Sequence, residues 1–244
     1  MSATTLLIHD GSAAPDAPVT RVGGLPLAPA GTDWPTCTAC SGQLQFIAQL
    51  VLDGGRGVLA VFMCANDPGS CQEWSATSGG NRALLFPPDG LAPLPLPALP
   101  AAEDGDDESD EDDGDADEEE DDEEDDEDVR LLGAVRTVER VTVAEPEYRP
   151  AVKAWSERSG RPGNEVLGRL GGTPDWLQYD ETPHCTGCGA PMEFIAQLED
   201  GPDPLTAPNF GSGRAYAHAC APCGRGGWLW DWWGGRPPGG GAGT

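Results

Sequence analysis

Eight cysteines fall into two matched sets of four, and no other feature restricts the fold as tightly. Cys37-Thr38-Ala39-Cys40 leads to Phe46-Ile47-Ala48-Gln49-Leu50. Cys185-Thr186-Gly187-Cys188 leads to Phe194-Ile195-Ala196-Gln197-Leu198, with every position displaced by 148 residues. Gly23-Gly24-Leu25-Pro26 and Gly171-Gly172-Thr173-Pro174 recur at the same offset. Each copy then adds a second pair, Cys64 with Cys71 and Cys220 with Cys223. Such a chain is expected to be duplicated, with one four-thiolate site per copy.

A C-x-x-C turn presents two thiolates from one knuckle, and a distant pair completes the tetrahedron that a structural zinc ion requires. Cys185, Cys188, Cys220 and Cys223 form two such knuckles. Cys37, Cys40, Cys64 and Cys71 form a looser set, with Asn66 to Gly69 as a loop across the last gap. Two Zn2+ ions are the expected cofactors, while spacing alone leaves iron–sulfur ligation open. A redox C-x-x-C needs a low-pKa thiol at a helix start, and here a strand-like run follows each knuckle. His184 and His218, close to Cys185 and Cys220, are alternative ligands of lower rank. Arg56, Arg214 and Arg225 are candidates for offsetting the charge of −2 that four thiolates leave around a divalent ion.

The hydrophobic pattern indicates a mainly β fold, or α+β with few helices: a duplicated antiparallel-sheet domain, pseudo-twofold, with two zinc ribbon-like knuckle sites. Residues 1–20 read as a leader with at most one strand near Thr5 to Ile8. Residues 21–86 form the first repeat, where Leu44 to Val51 and Val58 to Met63 are strands joined at the turn signal Asp53-Gly54-Gly55. Residues 87–129 are an insert, proline-rich and extended at first, then acidic. Residues 130–164 connect the repeats through a strand near Val138 to Val143 and a short helix over Ala151 to Ser156, with Pro146 and Pro150 as breaks. Residues 165–233 form the second repeat, with strands over Met192 to Leu198, Ala215 to Ala219 and Trp228 to Trp233. Residues 234–244 are a glycine-rich tail. Two such repeats, each with a small core, are expected to pack together.

The net charge of −28 is mostly a property of the insert. Between positions 103 and 128 lie 22 Asp and Glu with no Lys or Arg. This composition repels itself and offers no apolar face, so disorder is expected there. Outside it, 14 basic residues face 20 acidic ones, a balance of −6. The N-terminal residues lack the basic and apolar regions of a secretion signal, and no apolar run reaches bilayer length. A cytoplasmic protein without a membrane segment is the expectation, and in a reducing compartment paired cysteines bind metal rather than form disulfides.

Gly171-Gly172-Thr173-Pro174-Asp175-Trp176, followed by Cys185-x-x-Cys188-Gly189-x-Pro191-Met192-x-Phe194-x-x-Gln197-Leu198, resembles the bacterial YwqG-like proteins and the eukaryotic programmed cell death protein 2 family. Gly23-Gly24-x-Pro26, Cys37-x-x-Cys40, Leu44, Phe46, Gln49, Phe62-x-Cys64 and Cys71 resemble the N-terminal half of the latter. The resemblance spans about residues 21–85 and 165–233. It implies a duplicated β-rich domain without an established enzyme activity. The eukaryotic relatives act as chaperones for a small-subunit ribosomal protein, and bacterial members are linked to toxin immunity. This chain departs from them in lacking a MYND-type finger and in carrying its acidic insert between the copies.

No nucleophile, base and acid can be assembled from the sequence, which argues for a non-enzymatic protein. The leading expectation is a zinc-containing, chaperone-like protein that binds a basic protein or peptide, with ribosomal protein as one such client. An immunity protein that neutralises a basic toxin is the alternative. A zinc-ribbon module for nucleic acid ranks below both, because the basic residues are scattered and include a single lysine, Lys153. A monomer is favoured. Gln49 and Gln197 read as sheet residues or as groups that orient a bound strand. Trp228, Trp230, Trp232 and Trp233 read as part core, part docking surface.

Overall fold

The computed structural model describes residues 3–66, 70–97, 133–208 and 210–232. The strands are β1 (Thr4–Ser12), β2 (Arg21–Val22), β3 (Leu27–Pro29), β4 (Gln45–Leu52), β5 (Gly57–Met63), β6 (Asn81–Phe86), β7 (Leu91–Pro93), β8 (Arg136–Val143), β9 (Val166–Leu170), β10 (Glu193–Leu198), β11 (Arg214–Cys220) and β12 (Arg225–Asp231). One helix, α1 (Tyr148–Ser159), separates β8 from β9. Ten strands join in a single antiparallel sheet of order β12-β11-β10-β9-β1-β8-β2-β4-β5-β6, and β3 pairs with β7 separately. The mainly β, antiparallel architecture expected from the sequence is thus present.

Each repeat occupies one end of this sheet, and β1 and β8 stand between them. The pairing registers match across the repeats. Arg21 faces Gln49 between β2 and β4, and Arg169 faces Gln197 between β9 and β10, both residues displaced by the repeat offset. A bulge between Phe46 and Ala48 recurs between Phe194 and Ala196. The extra residue lets neighbouring side chains change faces. Phe46 therefore packs in the outer cluster with Phe62, while Ala48 lines the inner one. Matched strand order is what duplication produces; a rotation axis is a further property that order alone does not fix.

The sheet curls until β6 and β12 meet. A Cβ placed on Gly226 would lie 2.5 Å from the Ala83 carbonyl oxygen, so only glycine permits this approach. The inner face carries one continuous core built from both repeats, including Ile47, Leu59, Val61, Ile195, Ala217 and Trp228. The repeats are consequently packed together. On the outer face, Ala60, Phe62 and Cys64 alternate with the inward residues of β5 and join Trp34, Phe46 and Leu94. Leu6, Ile8, Val143 and Val166 pack against Tyr148, Ala151 and Trp155 of α1.

Four expectations need correction. The first strand is no leader element: Leu6, Leu7 and Ile8 are fully buried at the sheet centre, paired to β8 and β9. Nothing in three apolar residues shows that partners wait beyond position 136. Pro150 does not break the chain, because it lies in the first turn of α1, where a backbone N–H has no helical acceptor to lose. Within the proline-rich stretch, Leu91–Pro93 pairs with Leu27–Pro29 and covers the outer core, tied further by Leu94 N–H donating to Pro26 O at 2.8 Å. The final strand begins at Arg225, not Trp228, and its glycines had disguised it. The acidic run and Trp233 lie outside the described residues. No helix among the described residues is long and apolar enough to cross a membrane.

Candidate metal centres

The two knuckles are built alike. The Cys37 N–H donates to Gly42 O and the Cys185 N–H to Ala190 O, each at 2.8 Å. Ser41 N–H returns to Cys37 O at 2.9 Å and Gly189 N–H to Cys185 O at 2.8 Å. These turns close through left-handed residues, Ser41 at φ 65° and Gly189 at φ 73°. Isolated bridges, Thr36 to Gln43 and His184 to Pro191, anchor the base of each turn. β4 and β10 then run straight into the sheet, where β5 and β11 deliver Cys64 and Cys220 opposite the knuckles.

All eight expected ligands are brought together, in two groups: Cys37, Cys40, Cys64 and Cys71, and Cys185, Cys188, Cys220 and Cys223. Within each group the sulfurs lie within 4.8 Å of one another, and none is in a disulfide. Zinc–thiolate bonds of about 2.3 Å in a tetrahedron require sulfurs about 3.8 Å apart. The Cys40–Cys64 and Cys188–Cys220 Sγ separations are both 3.7 Å. Thus both groups fit a metal ion, and four thiolates around it leave no position for a reactive water.

Cys185 is held low, at about 6, by N–H groups of Gly187 and then Cys188. Cys223 is pushed up to about 12 by contacts with Cys188, Cys220 and Cys185. In the first group, burial and then Cys64, Cys37 and Cys40 push Cys71 up. Neighbouring thiols thus resist joint ionisation, and a cation is what would let all four release their protons.

Among the three arginines considered for charge compensation, Arg225 alone borders a cluster. A Cβ on Gly187 would lie 3.1 Å from Arg225 Nε and 3.3 Å from Cys223 Sγ, and Arg225 Nη1 donates to Thr186 Oγ1 at 2.9 Å. Arg56 instead pairs with Glu193 at 2.8 Å, and Arg214 with Asp175 and Glu199 at 2.5 and 2.7 Å. Their sequence proximity to cysteines misleads, because β5 and β11 carry them to the far ends of the strands. His218 is not a ligand. It is buried between Trp176, stacked at 6.0 Å, and Phe194, and burial pulls it down to about 4. His184 stands exposed outside the sulfur group.

Asn66 went unrecognised as more than a loop residue. Its Nδ2 donates to Cys64 Sγ at 3.4 Å and to Gln43 O at 3.1 Å, and lies 3.6 Å from Cys40 Sγ. The repeat itself held the clue. A Cβ on Gly42 would meet Asn66 Nδ2 at 2.5 Å; the second copy has Pro222 in place of Asn66 and tolerates Ala190 in place of Gly42. Groups that orient ligands typically change metal affinity about 10–100-fold when removed. Asn66→Ala is expected to weaken the first site about tenfold, measured by competition with a chromogenic chelator, and to leave the second unchanged.

Gln49 and Gln197 are fully buried and structural. Their Oε1 atoms accept the N–H of Leu27 at 2.8 Å and of Asp175 at 3.0 Å, which are equivalent positions in the two copies. Of the tryptophans, Trp228 is core and 1% exposed, whereas Trp74, Trp230 and Trp232 are half-buried, with Trp232 meeting Trp74 edge-on at 6.5 Å and Trp230 at a tilt at 5.0 Å. The chain matches no protein-family model, and no curated protein matches it.

Proposed function

We propose that this is a non-enzymatic, cytoplasmic protein with two structural Zn2+ ions, acting as a monomeric chaperone-like binder of a basic client. Two groups of four sulfurs, each within 4.8 Å of one another and each with a 3.7 Å separation that suits zinc, support the metal assignment. Zinc is favoured over an iron–sulfur cluster because each cage is sized for one ion. The observation that carries the client assignment is the run of 22 carboxylates between positions 103 and 128. Such a segment neutralises Lys/Arg-rich chains and screens them from adventitious contact with nucleic acid. A ribosomal protein is one client of this character.

The test is affinity purification of the full chain from native cells, beside a variant with residues 103–128 changed from Asp and Glu to Asn and Gln. Recovery of a defined basic protein by the parent, reduced at least tenfold with the variant, is expected. Equal recovery by both, or no basic protein with either, would overturn the reading.

A further inference from the structure

The repeats differ at one matched place, which the first fills and the second leaves hollow. Trp34 and Thr182 are 148 residues apart, each followed by proline and three residues before the first cysteine of its knuckle. Trp34 is buried, donates its indole N–H to Leu44 O at 2.8 Å and meets Phe62 edge-on at 5.7 Å. Leu84 packs against the same cluster. Leu84 stands opposite Ala60, four residues before Cys64, and Leu229 stands opposite Tyr216, four before Cys220. Thr182 and Leu229 therefore mark the corresponding place in the second repeat, and both line a cavity of about 380 Å³. Trp176 covers Tyr216 and His218 at 4.2 and 6.0 Å between ring centroids, but it is not among the cavity walls.

The other walls include Trp74 and Tyr179 with Asp180 and Glu181. Tyr179 is one of two exposed large hydrophobic side chains among the described residues. Trp74 is half-buried, with Trp232 edge-on to it. Asp180 Oδ1 accepts from the Thr182 N–H at 2.9 Å and from Thr182 Oγ1 at 2.6 Å, which holds the carboxyl below its usual range. These bonds fix the carboxylate at the wall and leave Oδ2 without a bond among the described residues. No Lys or Arg lines this cavity; Arg82 and Arg225 line a neighbouring one, of about 370 Å³. Pro183 and His184 join its wall to the second sulfur group, where four thiolates around a divalent ion would add negative charge. Aromatic faces beside carboxylates suit an organic cation. A guanidinium suits them better than an ammonium, because it is planar, stacks on rings and pairs with carboxylate through two parallel bonds.

We propose that this cavity takes an arginine side chain of the client, stacked against Trp74 and Tyr179 and paired with Asp180, at the place that Trp34 fills in the first repeat. The inference rests on the client-binding reading and gives it a recognition point on the folded body, apart from the acidic run. The run supplies long-range attraction, and the cavity selects one residue.

The test uses the full-length, metal-loaded chain with residues 103–128 neutralised as above, so that the run cannot itself hold a basic peptide. It is titrated with acetyl-Gly-Gly-Arg-Gly-Gly-amide while the indole N–H resonances are followed by NMR. A saturable shift at Trp74 is expected, at least tenfold weaker when citrulline, of the same shape without the charge, replaces the peptide arginine. Tyr179→Ala, at an exposed position, and Asp180→Asn are each expected to weaken binding at least tenfold with bound metal unchanged. Thr182→Trp, which restores the plug of the first repeat, is expected to abolish it. No saturable shift, equal affinity for arginine and citrulline, or undiminished binding by Tyr179→Ala or Thr182→Trp would overturn the proposal. Purification from native cells with Tyr179→Ala in the otherwise unaltered chain separates the two readings. A basic client recovered undiminished by that variant, yet lost on neutralising residues 103–128, would refute the arginine site and leave client binding standing. Peptide binding without any native client would do the reverse.

Discussion

On the proposed metal assignment, Cys185→Ser is expected to reduce bound metal from two ions per chain to one and to lower the stability of the shared core, with the second repeat's end of the sheet loosening first. Apparent binding free energies of structural zinc are about 10–16 kcal/mol, comparable with the whole stability of an ordinary domain, about 5–15 kcal/mol. The two sites differ in what else supports them. Cys37, Cys64 and Cys71 lie within a cluster that contains Trp34, Phe46 and Phe62, with ring centroids 5.7 and 5.6 Å apart. Around the second site the buried cluster is only Cys185, Met192 and Cys220, with Cys223 at its side. Chelation should therefore release amide protons near residues 183–192 and 220–227 first, while the outer face of β5 stays protected. Elemental analysis with hydrogen exchange checks this. Two ions retained by Cys185→Ser, or simultaneous exchange at both sites, would rule the account out.

Arg214→Met is expected to destabilise the protein by about 2–3 kcal/mol. That is less than the 3–5 kcal/mol usual for breaking a fully buried ion pair, because both partners keep some solvent. Arg214, with an 8% exposed side chain, holds Asp175 and Glu199 together and lies over the Tyr148 ring at 5.5 Å. It thereby joins α1, the loop at Asp175 and the start of β11. Burial holds Glu199 above the ordinary carboxylate range, and Arg214 works against that rise. A raised native pKa means that the folded chain binds the extra proton between the unfolded and folded values, so stability falls as pH rises through that window. Without Arg214 the window widens. The deficit of Arg214→Met relative to the parent should thus shrink between pH 7.5 and pH 5, as read from denaturant melts. A pH-independent deficit would mean that packing, not charge, holds this corner.

The cysteine ligands and the hairpins that carry them were legible because both depend on local chemistry, repeated in one chain. C-x-x-C turns, the glycine-rich link at Asp53–Gly55 and the apolar alternation of β4 and β5 each act over a few residues. What escaped the sequence depends on distant neighbours. β1 and β8 carry ordinary strand signals, yet only burial between two repeats makes them the centre of the sheet. β2 consists of just Arg21 and Val22, and no periodicity marks a two-residue strand. Nothing local in the sequence marks Arg21 or Arg169, yet both are buried beside glutamines. Their offset was visible, so comparison of the copies residue by residue could have found this pair.

The position of β1 also sets an order of events for a growing chain. Thr4 donates its hydroxyl proton to the Glu145 carbonyl, 141 residues further on, and no earlier segment satisfies the strand on either side. While translation proceeds at about 5–20 residues per second, the first sulfur cage and its hairpin can already be complete. The opening segment meanwhile has to wait, apolar and unpaired, until the acidic run has emerged and β8 and β9 follow. The protein's vulnerable moment therefore falls on the ribosome, when a long carboxylate-rich tether separates a strand from both of its eventual neighbours.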